Sequence, residues 1–266
     1  MKKISWITGL FVLVILSGCF DTLEEVTITE NGSGTFSSSF DMGKMLGLLK
    51  AMGSGKDEMK EIDKLKMDTV INLKDLKDSM KKLDATEKNI AATGTLKVQV
   101  DANDDKMNFT FSFPFLNTSE IAGIQGVLKR ARQDILDDVM EKIMGEEGGK
   151  NEGLLGTEDG NENKDGMGAN IDEYYKSVYE KGKFTRKLNK EKYANVGDDK
   201  SLKSLQEMAS MGMAINMKTV INLPKPAKKA EGKGLTLSDD KKKITMEGSL
   251  DDFFEDGSYF EYNIEY

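Results

Sequence analysis

The 266-residue chain contains no histidine, a single cysteine, three prolines and one tryptophan. Without histidine there is no Ser-His-Asp triad, no Cys-His pair and no histidine-ligated zinc site, so general acid-base work falls to carboxylates, lysines and tyrosines alone. One cysteine excludes an internal disulfide framework. The scarcity of proline leaves long stretches free to form regular structure. No glycine-rich phosphate loop followed by Lys-Ser or Lys-Thr occurs. Apolar residues make up 38%, which points to a segment that packs no core. The formal charge is −8, a poor balance for general nucleic-acid binding and a repulsive one toward anionic membrane surfaces. The basic runs at 181–192, 225–233 and 241–243 are each flanked by acids and read as solvated faces. Neither a cofactor nor a metal is expected, and the chain is not expected to be an enzyme.

The lone cysteine sits in an informative place. Lys2 and Lys3 precede the apolar run Ile4–Leu16, and Leu16-Ser17-Gly18-Cys19 follows. A charged start and a short apolar run describe a secretory leader; the run is too short to span a bilayer, which takes about 20 residues. Leu16-Ser17-Gly18-Cys19 resembles the lipobox of bacterial lipoproteins. That resemblance implies a diacylglycerol thioether on Cys19, cleavage before it, and N-acylation of the new terminus. Two or three acyl chains anchor stably, at about 0.8 kcal/mol per buried methylene. Loss of the two leader lysines would carry the charge from −8 to −10. The acidic stretch Phe20–Glu25 reads as a lipidated tether, either a spacer or, by likeness to Bacteroidetes lipoproteins, a surface-export signal. The expected location is the cell envelope, lipid-anchored, at the outer membrane.

Beyond the leader the two halves echo each other. Met67-Asp68-Thr69-Val70-Ile71-Asn72-Leu73 matches Met217-Lys218-Thr219-Val220-Ile221-Asn222-Leu223 at six of seven positions. Gly34-Thr35-Phe36-Ser37 parallels Gly182-Lys183-Phe184-Thr185, and Asp104-Asp105-Lys106 parallels Asp239-Asp240-Lys241. The fold expected is α+β, with two related β-β-α-β-β-β units whose antiparallel sheets are covered by helices. The expected segments are a signal peptide (1–18), a tether (19–25), a first unit (26–116), a connecting helix (117–144), a flexible acidic loop (145–170) and a second unit (171–266). The exit Leu223-Pro224-Lys225-Pro226 and the hairpin Ser238–Lys241 are similar to mycobacterial LppM-type lipoprotein domains; no function is carried from that likeness.

Leu96, Val98 and Val100 alternate with polar residues, as do Met107, Phe109, Phe111 and Phe113, the period of a half-buried strand. Phe260, Tyr262, Ile264 and Tyr266 repeat the pattern at the C-terminus, and Pro224 with Pro226 ends the second matching strand. Helical spacing appears at Met42, Met45, Leu46, Leu49 and Met52, over Lys74–Leu83, and at Leu202, Leu205, Met208 and Ala209. Asn117 with Glu120 resembles a capping box ahead of the stripe Ile121, Ile124, Leu128, Ala131, Ile135, Val139, Ile143. Residues 145–170 hold eight glycines and seven acids, too little apolar matter to bury.

The candidate chemistry is thin. Asp159–Asn163 and Asp101-x-Asn103-x-Asp105 begin like calcium loops, but each has lysine at the sixth place and both read as turns. Asp251-Asp252 reads as a solvated turn, the 16 methionines as core packing, and Tyr174, Tyr175 and Tyr179 as a half-buried edge strand. Two roles follow as expectations: a non-catalytic envelope protein that is structural or binds a protein partner, or a binder of a lipid or small molecule in an apolar groove between sheet and helices.

Overall fold

The computed structural model describes residues 20–44, 46–47, 66–76, 80, 82–148, 171–210 and 214–266. The class is mixed α+β, with twelve strands in two sheets. The first strand, β1 (Phe20–Ile28), forms a hairpin with β2 (Gly34–Asp41). The turn between them places Gly32 at φ 90°, a conformation glycine adopts at little cost, and Asn31 accepts from the Ser33 amide at 3.0 Å. β3 (Lys66–Asn72), β4 (Thr95–Asp101) and β5 (Lys106–Phe115) form an antiparallel meander whose outer strand β5 lies against β2.

In the second half, β6 (Tyr175–Glu180) and β7 (Lys183–Leu188) form another hairpin, followed by β8 (Ile215–Asn222), β9 (Lys229–Glu231), β10 (Leu235–Leu237), β11 (Lys243–Ser249) and β12 (Tyr262–Glu265). The eight-stranded sheet runs β10-β11-β8-β1-β2-β5-β4-β3 and the four-stranded sheet β6-β7-β12-β9. All pairings are antiparallel except β1 with β8, where Val26 lies beside Ile221. Strands from both halves therefore share the large sheet.

The core follows from the alternation. Phe36 and Phe40 on β2, Leu96, Val98 and Val100 on β4, and Met107, Phe109, Phe111, Phe113 and Phe115 on β5 are all buried on one face. The helix α1 (Ala85–Ala92) starts from a capping box in which Asp84 accepts from the Glu87 amide and Glu87 accepts from the Asp84 amide. The helix α2 (Ile121–Gly148) presents Ile121, Ile124, Val127, Leu128, Ala131, Ile135 and Leu136 to the same core. Its Arg132 guanidinium lies 4.5 Å over the Phe40 ring. Three shorter helices follow, α3 (Lys190–Tyr193), α4 (Lys200–Ser210) and α5 (Leu250–Glu255).

Several expectations need correction. Residues 20–25 are not a tether: they open β1 and are paired on both sides. The acids that made the stretch look solvated are engaged from other elements, Asp21 by Asn216 at 2.9 Å and Glu25 by Asn222 at 2.6 Å. Of the helix expected over Lys74–Leu83, residues 77–79 and 81 lie outside the described residues; its start is a 3-10 turn (Leu73–Asp75), Leu73, Leu76, Met80 and Leu83 are buried, and α1 follows. Asn117 and Glu120 make no capping box. Asn117 donates to Glu120 at 2.6 Å, and Glu120 also accepts from the Leu116 amide at 3.1 Å, so a 3-10 turn (Thr118–Glu120) precedes α2. α2 ends at Gly148, four residues into the expected loop; residues 149–170 lie outside the described residues. Asp251 and Asp252 belong to α5, not to a turn, and Asp252 completes a capping box with Ser249.

The hairpin turns at Asp105 (φ 46°) and Lys241 (φ 55°) fall where the Asp-Asp-Lys matches place them. Phe36 and Phe184, the aromatic residues of the matching glycine-led segments, both lie fully buried on the second strand of a hairpin. The two matching heptapeptides are placed differently. Met67–Asn72 is in β3, at one end of the large sheet, whereas β8 sits between β1 and β11.

Candidate functional site

Four charged side chains from four elements converge where the two sheets and α2 meet. Glu24 comes from β1, Arg132 from α2, Asp172 from the 3-10 turn Ile171–Tyr174, and Arg186 from β7. Period two on β7 puts Arg186 on the same face as Phe184, and both are buried. Arg186 donates through Nη1 to Asp172 Oδ1 at 2.6 Å, and its guanidinium stacks 4.1 Å over the Tyr175 ring. Gln125 reaches Glu24 at 3.5 Å, and Tyr262 donates to the Tyr179 hydroxyl at 3.5 Å.

The electrostatics follow from enclosure. Burial, reinforced by the charge of Asp172, pushes Glu24 up to about 8, against the pull of Arg186, Arg132 and Gln125. Burial would lower Arg186, yet the charge of Asp172, with smaller contributions from Tyr262, Tyr179 and Glu24, holds it above its ordinary value. Burial lowers Arg132 despite Asp172 and Glu24. Burial raises Tyr179 and Tyr262. The cluster thus gathers two guanidinium groups and two carboxyls, with Arg186 and Asp172 in direct contact. That arrangement joins the layers.

The aromatics follow the same logic. Tyr174, Tyr175 and Tyr179 are core residues rather than a stacking platform. The Phe253 ring packs against Tyr174, Tyr175 and Tyr193 at centroid distances of 5.5, 6.2 and 5.4 Å. Tyr175 donates to the Gly257 carbonyl at 2.6 Å and Tyr174 to Asp199 at 2.6 Å.

A groove of about 760 Å³ opens beside the β1–β8 junction, at the end of the sheet where β1 begins. Its wall includes Asp21, Asp41, Asn108, Asn216, Glu247 and Asp252, with Leu23 and Met217 as apolar parts. The carboxylates are fixed locally: Asp21 by Asn216, Asp41 by the Gly43 amide at 2.9 Å, Glu247 by Lys218, and Asp252 by the Ser249 amide at 2.7 Å. Its polar side chains sit in a lining that is mostly apolar; most of the methionine-spaced helix of the groove expected between sheet and helices lies outside the described residues.

Leu16, Ser17, Gly18 and Cys19, and the calcium-like segment Asp159–Asn163, also lie outside the described residues. Asp101 closes β4, and Asn103 and Asp105 belong to the β4–β5 turn. Among the described residues no group of three or more His, Cys, Asp or Glu side chains is placed to hold a metal ion. No helix among them is long and apolar enough to cross a membrane. Met42, Met80, Met107 and Met246 are buried in the core, as packing requires.

No protein-family model, curated protein or solved structure matches this chain.

Proposed function

We propose that the chain is an envelope lipoprotein, held at the outer membrane by acyl groups on Cys19, with a non-catalytic structural or partner-binding role. The observation that carries this reading is the start of β1 at Phe20, one residue after Cys19, with β2 on one side and β8 on the other. A lipid on Cys19 would then hold the central strand of the large sheet directly, with no spacer between bilayer and fold. The leader and the lipobox supply the motive for placing the lipid there. The partner-binding role draws support from the charge cluster, whose perturbed groups are locked to one another, and from the fixed carboxylates of the groove. The two matching heptapeptides and glycine-led hairpins favour an origin in two related units that came to share one sheet.

The test is metabolic labelling with an alkyne fatty acid in bacteria, followed by membrane fractionation. The parent chain is expected in the membrane fraction and labelled; Cys19→Ala is expected to lose the label. Label retained on the Cys19→Ala variant, or none on the parent, would sink the reading.

A further inference from the structure

The heptapeptide shared by β3 and β8 appears in two settings, and only one of them is complete. In β8, Val220 and Ile221 are 5% and 2% exposed, enclosed by strands on both sides. In β3 the corresponding Val70 is 59% exposed and Ile71 is half-buried. Among the described residues β3 pairs with β4 and with no other strand. The Leu73 amide donates to the Gly94 carbonyl at 3.1 Å, in register with the β3–β4 ladder. By the alternation of an antiparallel ladder, Met67, Thr69 and Ile71 then turn their backbone groups to β4, and Asp68, Val70 and Asn72 turn theirs to the open side.

An edge of seven residues without proline or bulge is a template for another strand unless charges guard it. The two charges of β3 are drawn back onto its own sheet. Lys66 pairs with Asp101 at 2.6 Å, and Asp68 accepts from Gln99 at 3.0 Å with Lys97 at 3.8 Å. The exposed residue at the middle of the edge is a valine.

We infer that β3 is a self-association edge, on which a second copy of this chain lays its own β3 antiparallel with Val70 opposite Val70. That register sets Asp68 opposite Asn72 twice, carboxylate to amide, and Thr69 opposite Ile71 twice on the inner face. Shifting by two residues puts Val70 opposite Asp68 or Asn72, according to direction, and shifting by four puts Asp68 opposite Asp68 or Asn72 opposite Asn72; each loses the carboxylate-to-amide pairing. One strand thus satisfies itself about a two-fold axis, the closed symmetry of an isologous dimer. The axis runs along the sheet normal, so both β1 starts lie in the plane of the joined sheet. This pairing does not depend on lipidation.

The test uses the full chain carrying Cys19→Ser, which removes its one native thiol, oxidised in a detergent extract and run on a non-reducing gel. Val70→Cys is expected to give a band of twice the chain mass. Thr69→Cys, on the inner face, is expected to stay monomeric. Asp68→Cys and Asn72→Cys, co-expressed with different tags, are expected to cross-link to each other. Directly opposed residues in a ladder lie about 5.5 Å apart at Cα, within disulfide reach. On the chain without added cysteine, Val70→Lys is expected to abolish the dimer seen by light scattering. A monomeric Val70→Cys, equal cross-linking at Thr69, or a band matching some other protein would each overturn the proposal. Because Val70 is exposed, none of these outcomes is confused with failure to fold.

Discussion

Arg186 and Asp172 form an ion pair at 2.6 Å in which Arg186 is 5% exposed. The pair links β7 to the turn that follows the glycine-rich acidic stretch, and Arg132 and Glu24 extend it to α2 and β1. Removing one member of a buried pair leaves the other charge without compensation, typically at about 3–5 kcal/mol. Arg186→Met is therefore expected to lower stability in urea unfolding by about that amount. Asp172→Asn should cost less, because the amide oxygen can still accept from Arg186 and Glu24 ionises more readily once the Asp172 charge that raises it is gone. The double variant should lose less than the two single losses combined; strict additivity would mean that the pair does not act as a unit.

Glu24 gives the fold a pH dependence of defined sign. Its folded value of about 8 stands above the ordinary 4.5, so the folded chain holds a proton that the unfolded chain releases between those values. Stability contributed by this group is present below about pH 4.5 and declines as pH rises toward 8. The groups facing it are Asp172, Arg186, Arg132 and Gln125. Glu24→Gln is expected to flatten this part of the curve, with a gain in melting temperature at pH 8.5 that shrinks toward pH 5. A variant that melts in parallel with the parent across this range would show that the carboxyl is not held as described.

What was legible in the sequence, and what was not, divides along physical lines. β4, β5 and β12 declare themselves because one face is apolar and the other polar. The turns at Asn31–Gly34 and Asn103–Asp105 declare themselves through glycine and aspartate, which tolerate positive φ, whereas at Ser238–Lys241 the positive φ falls on Lys241. β1 did not, since its acids at 21, 24 and 25 are satisfied by Asn216, Gln125 and Asn222, the nearest 101 residues away in sequence. α1 buries only Glu87 and Ala91, so it has almost no apolar stripe, although Asp84 and Glu87 carry the spacing of a capping box. The charge cluster was hidden because each member alone resembles a solvated charge. Only Arg186, in alternation with Phe184 and Leu188, carried a local sign of pointing inward.

Helix α1 offers a direct check on the capping reading. Asp84 accepts from the Glu87 amide at 2.9 Å, and Glu87 in turn caps the Asp84 amide and pairs with Arg130 of α2. Asp84→Ala removes an N-cap and is expected to cost about 0.5–2 kcal/mol. Glu87→Ala should cost more than Asp84→Ala, because it also removes the contact to α2. The reverse order in chemical denaturation would mean that the cap, not the interhelical pair, holds α1 in place.

Phe253 is a fully enclosed position outside the sheets. Its ring is fully buried and packs edge-on against Tyr174, Tyr193 and Phe254. The Tyr193 hydroxyl donates to the Phe253 carbonyl at 2.7 Å and accepts from the Gly257 amide at 3.0 Å. Phe253→Ala would open a cavity lined by rigid aromatic rings that collapse poorly, and is expected to destabilise by about 3–5 kcal/mol. Phe253→Leu, which keeps most of the volume, is expected to cost less than half of that. Tyr193→Phe keeps the ring but strands the Gly257 amide, so its cost should be about 1–3 kcal/mol. If Phe253→Ala unfolded at the same urea concentration as the parent, α5 would be a loosely attached surface turn, and the aromatic cluster would not be what joins α5 to β6 and α3.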